Sequence, residues 1–199
     1  MNLWWLTVSA LGLLVLGVSI AHARHPTISE AEGRVFHAVN GLPDWLYWPL
    51  WPPMQFGNLV VGTAAGLLVA LVDRDLTVAV GVILAMAFKL VTERIVRREM
   101  ADYLAVRQRP GTSQVGAVLR GGDVPRSGPS FPSGHVILVA GVGTVVAPIL
   151  PGPWMFLPAL AVVLVMVGRV YAGAHNPLDV TAGLGAGLLL GGIIAAFVD

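Results

Sequence analysis

The chain has 199 residues, of which 56% are hydrophobic and 12% are charged, and its formal net charge is +1. Soluble domains carry about 25% charged residues, so a chain this apolar, with a mean hydropathy of +0.78, needs lipid around its outer surface. The small net charge gives no indication of nucleic-acid binding, and the absence of cysteine from the sequence excludes disulfides, thiolate metal sites and cysteine nucleophiles. We therefore expect a multi-pass protein of the cell membrane.

Six apolar segments are long enough to cross a bilayer as helices of about 20 residues each. They lie at roughly 3–21, 54–72, 76–96, 132–150, 154–174 and 179–198. Irregular backbone cannot face lipid, because its N–H and C=O groups would lack partners, so each segment is predicted to be helical. The first has no cationic side chain before it and exceeds the apolar core of a signal peptide, about 7–15 residues, so we expect it to be retained. The sequence thus predicts an all-α, polytopic bundle of six transmembrane helices, forming one domain over residues 1–199.

The segment between the first two predicted helices, 22–53, opens with polar residues and ends with aromatic residues and prolines. Indole rings favour the headgroup layer of a membrane. We predict a short interfacial helix over 28–40, followed by an aromatic re-entry into the membrane. Membrane anchoring is the preferred interpretation of this segment, and a gate for lipid substrates is the alternative.

Alternating the six helices across the membrane places the connections 22–53, 97–131 and 175–178 on one face and both termini on the other. All five histidines and every arginine except Arg74 lie on or near the first face. A polar, cationic face beside apolar helices is where we expect chemistry on an anionic substrate. By the positive-inside rule, the same excess of arginine would put this face in the cytoplasm.

The last predicted helix carries Gly183, Gly187 and Gly191 at four-residue spacing. Such a stripe of small residues lets a neighbouring helix approach closely. It could serve an internal contact or a homodimer, and the sequence leaves both open.

The first chemical motif precedes the fourth predicted helix and reads Ser130-Phe131-Pro132-Ser133-Gly134-His135. Ser130 is predicted to cap this helix, with Pro132 in its first turn, where a missing N–H costs nothing. The N-terminus of a helix attracts anions through its free N–H groups and its dipole. Gly134 would allow close approach of a phosphate oxygen to the backbone.

The second chemical motif is Arg169-x5-His175-x3-Asp179, between the fifth and sixth helices. Arg169 offers a planar fork of donors that matches phosphate. One helical turn places the Asp179 carboxylate near the His175 imidazole, which would fix its tautomer and leave the other nitrogen free to attack. His135 then remains as the acid that protonates a leaving group. Two merely structural histidines at a membrane interface are the alternative, which the clustering of ionisable residues on one face disfavours.

Pro132-Ser133-Gly134-His135 and Arg169-x5-His175-x3-Asp179 resemble the second and third signatures of the type 2 phosphatidic acid phosphatase superfamily, with all catalytic motifs within 109–183. The resemblance implies hydrolysis of a lipid phosphate or pyrophosphate (polyprenyl pyrophosphate, phosphatidate or phosphatidylglycerophosphate) through a phosphohistidine on His175. It implies that Asp179 orients His175 and that His135 acts first as acid and then as base. The residues implied to hold the phosphoryl oxygens are Arg109, Ser133, Gly134 and Arg169.

The same resemblance implies no metal and no other cofactor, and it implies that the partners are the lipid substrate and membrane lipids. Bacterial relatives suggest an active site on the extracytoplasmic face, against the arginine distribution, and we adopt the outward orientation.

The chain departs from the family pattern at two positions. Serine usually precedes the arginine of the third signature, and here the residue is Gly168. The first signature normally reads lysine, six residues and Arg-Pro, but Asp102 stands where Arg109-Pro110 would require the lysine. The sequence leaves four replacements open: Lys89, Arg97, Arg98 and Arg107.

Two further functions stay open from the sequence. A transferase would use the same histidine chemistry and hand the phosphoryl or head group to another alcohol, with an acceptor pocket built by the 97–131 loop. A catalytically inactive relative would only bind lipids, and the missing lysine of the first signature favours it.

Overall fold

The structure is a computed structural model, and it describes residues 2–25, 27–98 (the side chains of Arg97 and Arg98 excepted) and 107–198. Within these ranges the chain is built from helices, turns and loops, with an isolated antiparallel bridge between Gln108 and Pro129. The α-helices are α1 (Leu3–Ala23), α2 (Glu30–Asn40), α3 (Tyr47–Met54), α4 (Leu59–Asp73), α5 (Leu76–Arg98), α6 (Pro110–Ser113), α7 (Gly134–Val146), α8 (Leu157–Tyr171) and α9 (Pro177–Val198). Short 3-10 segments lie at Asp44–Leu46, Gln55–Gly57, Ala147–Ile149 and Gly152–Phe156. The prediction of an all-α protein is confirmed for the described residues.

Four helical segments of the described chain are long and apolar enough to cross a membrane. They are Leu3–Ala23, Leu76–Val96, Gly152–Tyr171 and Pro177–Val198. The predicted second span is instead a pair of segments, Asp44–Gly57 and Leu59–Asp73, that meet at an angle of 72°. The predicted fourth span is a shorter apolar helix, Gly134–Ile149. The predicted number of six spans is therefore not confirmed by length and composition.

The bend before α4 follows from the residues at the break. Pro52 and Pro53 lack the N–H groups that continue a helical ladder. Asn58 then adopts an extended backbone, and its side-chain oxygen accepts hydrogen bonds from the N–H groups of Val60 (3.0 Å) and Val61 (3.3 Å). An asparagine in this conformation begins a new helix in a new direction. The sequence pattern missed the break because the residues on both sides of it are apolar.

Helix α9 lies at the centre of the bundle, between α7 and α1. Its glycine stripe faces α7, since a Cβ added at Gly183 would lie 2.7 Å from the Ser133 carbonyl oxygen and one at Gly187 would lie 2.5 Å from Ala140 Cβ. On the opposite side, a Cβ at Gly12 of α1 would lie 2.4 Å from the Leu189 nitrogen. The stripe that the sequence left open is thus an internal helix contact, and a homodimer would need a different surface.

The contacts of α9 also fix the direction of its neighbours. Gly183 meets Ser133 and Gly191 meets Thr144, so α7 and α9 run parallel and their N-termini lie at the same end of the bundle. Helix α1 runs antiparallel to α9, because the Asn2 nitrogen donates to the Ala196 carbonyl (3.1 Å). The two motifs, which precede α7 and α9, are therefore brought together at one end.

Candidate active site

A cavity of about 240 Å³ lies at the motif end of the bundle, among the C-terminal part of α5, the start of α7, the end of α8 and the loop before α9. Among its lining residues are His135, His175, Arg109, Arg169 and Gly134, which are five of the seven site residues predicted from the sequence. The other two, Ser133 and Asp179, are fully buried behind the cavity. The fold thus brings both motif histidines and both motif arginines to one cavity.

The start of α7 differs from the sequence prediction. Ser130 does not cap the helix: its hydroxyl donates to the carbonyl oxygens of Arg107 (3.2 Å) and Gln108 (3.3 Å). Phe131 and Pro132 are joined by a cis peptide bond, and Ser133 stands at the N-cap position. The unpaired N–H groups that begin every α-helix therefore start at Gly134, at the edge of the cavity. The capping prediction is wrong because Ser130 holds the preceding loop.

The imidazole of His175 is buried, with 4% exposure, and held by one hydrogen bond. Its Nδ1 lies 2.9 Å from the Ser130 carbonyl oxygen. Because a carbonyl oxygen only accepts, Nδ1 carries the proton and Nε2 keeps a lone pair in the neutral ring. Burial lowers the pKa of His175 below its ordinary value, and the Asp179 carboxylate opposes this shift. The ring is thereby kept neutral, with one nitrogen suited to nucleophilic attack.

Asp179 does not make the hydrogen bond to His175 that the sequence predicts. Its Oδ2 lies 3.9 Å from His175 Nδ1, which is too far for a hydrogen bond. The same oxygen accepts from the Asn176 backbone N–H at 2.8 Å, and Oδ1 accepts from Arg107 Nε at 3.2 Å. Asp179 therefore closes the first turn of α9 and presents a negative charge to the ring, while Ser130 sets the orientation of the ring.

Arg107 and Glu32 support Asp179 from behind the cavity. Arg107 is buried and donates through Nη2 to a carboxylate oxygen of Glu32, which also accepts from the Leu178 N–H at 2.9 Å. Arg107 makes these ion pairs behind the cavity and is not among the residues that line it. The sequence gives no signal for this role of Glu32, because Ser29-x-x-Glu32 has the form of a local capping pattern. Ser29 does cap α2, but the Glu32 carboxylate reaches α9 instead of its own helix start.

Arg169 reaches the cavity from the last turn of α8. Its Nη1 donates to Asp123 Oδ2 at 2.9 Å, and its Nε is buried without a hydrogen-bond partner in the described part of the chain. The Ser133 hydroxyl is also buried without a partner there. A buried polar group left without a partner costs about 1–3 kcal/mol, so a donor in this state beside a cavity fits an anionic ligand. Arg109 lines the same cavity, and its Nη1 donates to the Ala174 carbonyl at 2.9 Å.

Two glycines allow neighbouring segments to pack closely at the site. Gly57, at the break before α4, lies against His135, where an added Cβ would come within 2.7 Å of the His135 Cβ. A Cβ at Gly168 would come within 2.5 Å of Met54 Cγ. The glycine that precedes Arg169, in place of the usual serine, is therefore matched to the methionine packed on it.

Helix α5 contributes a charged pair to the lining of the cavity. Lys89 Nζ lies 3.1 Å from Glu93 Oε2, and both side chains line the cavity. A Cβ added at Gly134 would lie 1.8 Å from Glu93 Oε1 and 3.1 Å from Lys89 Cε, so the pair sits directly against the start of α7. Of the four cations that the sequence left open, Lys89 lines the cavity. Asp102 and the side chains of Arg97 and Arg98 lie outside the described residues.

Comparison with known proteins places these residues in a family context. A family model described as the PAP2 superfamily matches residues 74–199. An undecaprenyl-diphosphatase of Sulfolobus acidocaldarius is 46% identical over 55 residues. That match covers 27% of this chain and 26% of the relative, so it spans about a quarter of each protein.

Two solved structures share the fold. The crystal structure of Aquifex aeolicus LpxE is 22% identical, with a TM-score of 0.69, over 81% of this chain and 92% of that one. The crystal structure of the first transmembrane PAP2 type phosphatidylglycerolphosphate phosphatase from Bacillus subtilis is 21% identical, with a TM-score of 0.72, over 95% and 94%. At these identities the likeness establishes the architecture of the bundle.

Proposed function

Because the chain belongs to the PAP2 superfamily, we propose that it is a membrane phosphatase that removes phosphate from a lipid phosphate or lipid pyrophosphate without a metal. The observation that carries this proposal is the single cavity lined by His135, His175, Arg109 and Arg169. A neutral, oriented imidazole faces two guanidinium groups there, which is the arrangement that phosphoryl transfer to a histidine requires.

In the first step, Nε2 of His175 attacks the phosphorus atom, and the bond between phosphorus and the lipid oxygen breaks. His135 donates a proton to the departing oxygen. Arg109, Arg169 and the backbone N–H groups at the start of α7 stabilise the charge that grows on the phosphoryl oxygens. The unpartnered Nε of Arg169 supports this assignment, since phosphate would supply the acceptor it lacks. The Ser130 carbonyl and the Asp179 charge stabilise the positively charged, phosphorylated ring.

In the second step, water attacks the phosphorus atom of phosphohistidine, and the bond between phosphorus and Nε2 breaks. His135, which lost its proton in the first step, now takes one from the attacking water. Inorganic phosphate leaves, and both histidines return to their starting protonation states. The two steps together hydrolyse one phosphate ester or anhydride bond.

We propose a substrate from the classes that the relatives' names describe. The relatives are named for undecaprenyl diphosphate and phosphatidylglycerolphosphate, and phosphatidate shares the same terminal phosphate. The position of the cavity at the end of apolar helices supports a substrate whose phosphate lies at the membrane boundary while its chains stay in lipid.

We propose six crossings, of which the bent α3–α4 pair and the short α7 are two. Helix α7 is buried throughout Val136–Val146, so neighbouring helices, rather than lipid, surround it and it needs less length. We also propose that the active site faces outward. Since the sequence has no cysteine, a single cysteine at the exposed Ser127 should react with a membrane-impermeant maleimide in intact cells. Labelling only after cell lysis would reverse the orientation.

Phosphate release from a panel of lipid phosphates, in the presence of EDTA, tests the proposed activity. The wild type should release inorganic phosphate, and His175→Ala should lose at least about 10³-fold in rate, the scale expected when a nucleophile is removed. His37→Ala, on the exposed side of α2, is the matched control and should keep full activity.

The remaining outcomes of the same assay separate the alternatives. Unchanged turnover in His175→Ala would contradict the proposed mechanism, and no release from any substrate by the wild type would contradict the activity. If the phosphate of the substrate is radiolabelled, its transfer to a second alcohol without release of free phosphate would instead identify a transferase.

A further inference from the structure

The first signature of the family contains a lysine, and this chain has Asp102 at that position. A different cation, Lys89, lines the cavity. Lys89 is the single lysine of the sequence. It lies in the apolar helix α5, where charged side chains are costly and usually serve a function. Its partner Glu93 lies one turn further along the helix, and both line the cavity that contains the two histidines.

We infer that Lys89 binds the substrate's phosphate from α5, in addition to Arg109 and Arg169, in place of the first-signature lysine at whose position this chain has Asp102. Glu93 holds the Lys89 ammonium until phosphate takes the place of the carboxylate. This inference rests on the proposed phosphatase function. It assigns roles to two residues that lie outside the three signature motifs.

The position of Lys89 relative to α7 supports the inference. The side chain passes so close to Gly134 that a Cβ there would lie 3.1 Å from Lys89 Cε. The free N–H groups at the start of α7 attract phosphate oxygens to the same place. A phosphate bound at Gly134 therefore lies within reach of the ammonium group.

The position of Glu93 explains how phosphate can take the place of its carboxylate beside Lys89. Its Oε1 lies against Gly134, where a phosphate oxygen would otherwise lie. The carboxylate thus occupies the anion position beside Lys89 and must move aside for substrate. A doubly charged phosphate is a stronger partner for the ammonium than a singly charged carboxylate, so phosphate can displace Glu93 from Lys89.

The alternative is that Lys89 and Glu93 merely neutralise each other within an apolar helix. The two roles predict different behaviour for a double variant. If the pair is only structural, replacing both residues leaves no unpaired charge, so the double variant should fold and bind phosphate as the wild type does. If Lys89 binds phosphate, the double variant folds but still binds phosphate weakly.

The experiment compares wild type, Lys89→Met, Lys89→Arg, Glu93→Gln and the double variant Lys89→Met/Glu93→Gln. The measured quantities are KM and kcat for the substrate cleaved by the wild type and the inhibition constant of inorganic phosphate. We expect Lys89→Met and the double variant to raise KM and the phosphate inhibition constant by about 10-fold or more, as loss of a charge-assisted contact implies. Lys89→Arg should remain within a few-fold of wild type, and Glu93→Gln should bind phosphate more tightly. Wild-type values in the double variant would overturn the inference.

Chemical labelling of Lys89 in the wild-type protein tests the inference even if the Lys89→Met variant does not fold. Pyridoxal phosphate and borohydride attach a label to amino groups, and Lys89 is the only lysine that can take it. Inorganic phosphate should protect Lys89 in the wild-type protein, in proportion to its occupancy, while sulfate-free buffer of equal ionic strength should not. Equal labelling with and without phosphate would contradict the inference. Because this readout needs no turnover, it separates failure of the inference from failure of the phosphatase proposal.

Discussion

The two walls of the cavity are built in different ways. The motif wall is formed by the start of α7, the end of α8, the loop after it and the start of α9. Its key side chains are deeply buried: Arg169 and His175 are each 4% exposed. The Asp179 carboxylate accepts from the Asn176 backbone N–H and from Arg107. The α5 wall consists of one ion pair, with side-chain exposures of 13% for Lys89 and 20% for Glu93. In the proposed mechanism, the motif wall positions the reacting groups, whereas the α5 wall adapts to the substrate.

Among variants that compare the two walls, the largest effect should follow from Arg169, the arginine of the motif wall. Replacing Arg169 by Met removes the planar donors that stabilise the phosphoryl charge, and kcat/KM should fall by about 10²–10³-fold, the loss typical of one such group. Arg169→Lys should recover little, because an ammonium group cannot reproduce the fork. Phosphate-release assays measure both, with Arg34→Met on the exposed face of α2 as the control.

Variants of the two walls should also differ in which kinetic constant changes. The Arg169 variant should lose more in kcat than the Lys89 variant, which should lose mainly in KM. Equal losses in kcat from both walls would mean that the α5 wall positions the reacting groups as rigidly as the motif wall.

A smaller effect is expected from the charge of Asp179. Burial lowers the pKa of His175 and Asp179 opposes it, so the acid limb of kcat/KM, which follows the neutral nucleophile, should lie below the ordinary imidazole pKa of about 6.5. Asp179→Asn removes the opposing charge, which lowers the pKa of His175 further and moves this limb to lower pH while reducing the rate. A pH profile of each protein measures the shift. A limb that moves to higher pH in the variant would contradict the assignment.

The smallest predicted effect concerns the packing that holds the motif wall. A Cβ at Gly183 would lie 2.7 Å from the Ser133 carbonyl oxygen, which is backbone and cannot easily move. Gly183→Ala should therefore destabilise the protein by about 1–3 kcal/mol, the usual cost of overpacking, and lower activity by separating α7 from α9. Gly17→Ala, which has nothing within 4 Å, is the matched control and should be neutral. Thermal unfolding in detergent measures both, and equal stability of the two variants would show that the α7–α9 contact is looser than described.

The two walls also differ in how well the sequence predicts them. Arg169, His175 and His135 could be predicted to lie together because each stands at a helix end, in a short motif whose spacing fixes its geometry. Their detailed contacts could not: Ser130 forms the hydrogen bond expected of Asp179, because the backbone of the loop folds over the ring. Local spacing does not describe such contacts between distant segments.

The α5 wall could be predicted only as a choice among four cations. Lys89 is 20 residues before Arg109, and only the packing of α5 against α7 places it at the cavity. The supporting contact of Glu32 with Arg107 depends in the same way on α2 reaching the start of α9. The break before α4 was missed because apolar residues on both sides of it continue the hydrophobic pattern.

The proposed role of His175 as the nucleophile can be tested by trapping its phosphorylated form. In His135→Ala, p-nitrophenyl phosphate supplies a leaving group that needs no proton, while the water that completes the cycle loses its base. We expect a burst of one nitrophenolate per protein, with the phosphate attached to the peptide that contains His175. A burst with the phosphate on any other residue, or a full burst in the His135→Ala/His175→Ala double variant, would contradict it.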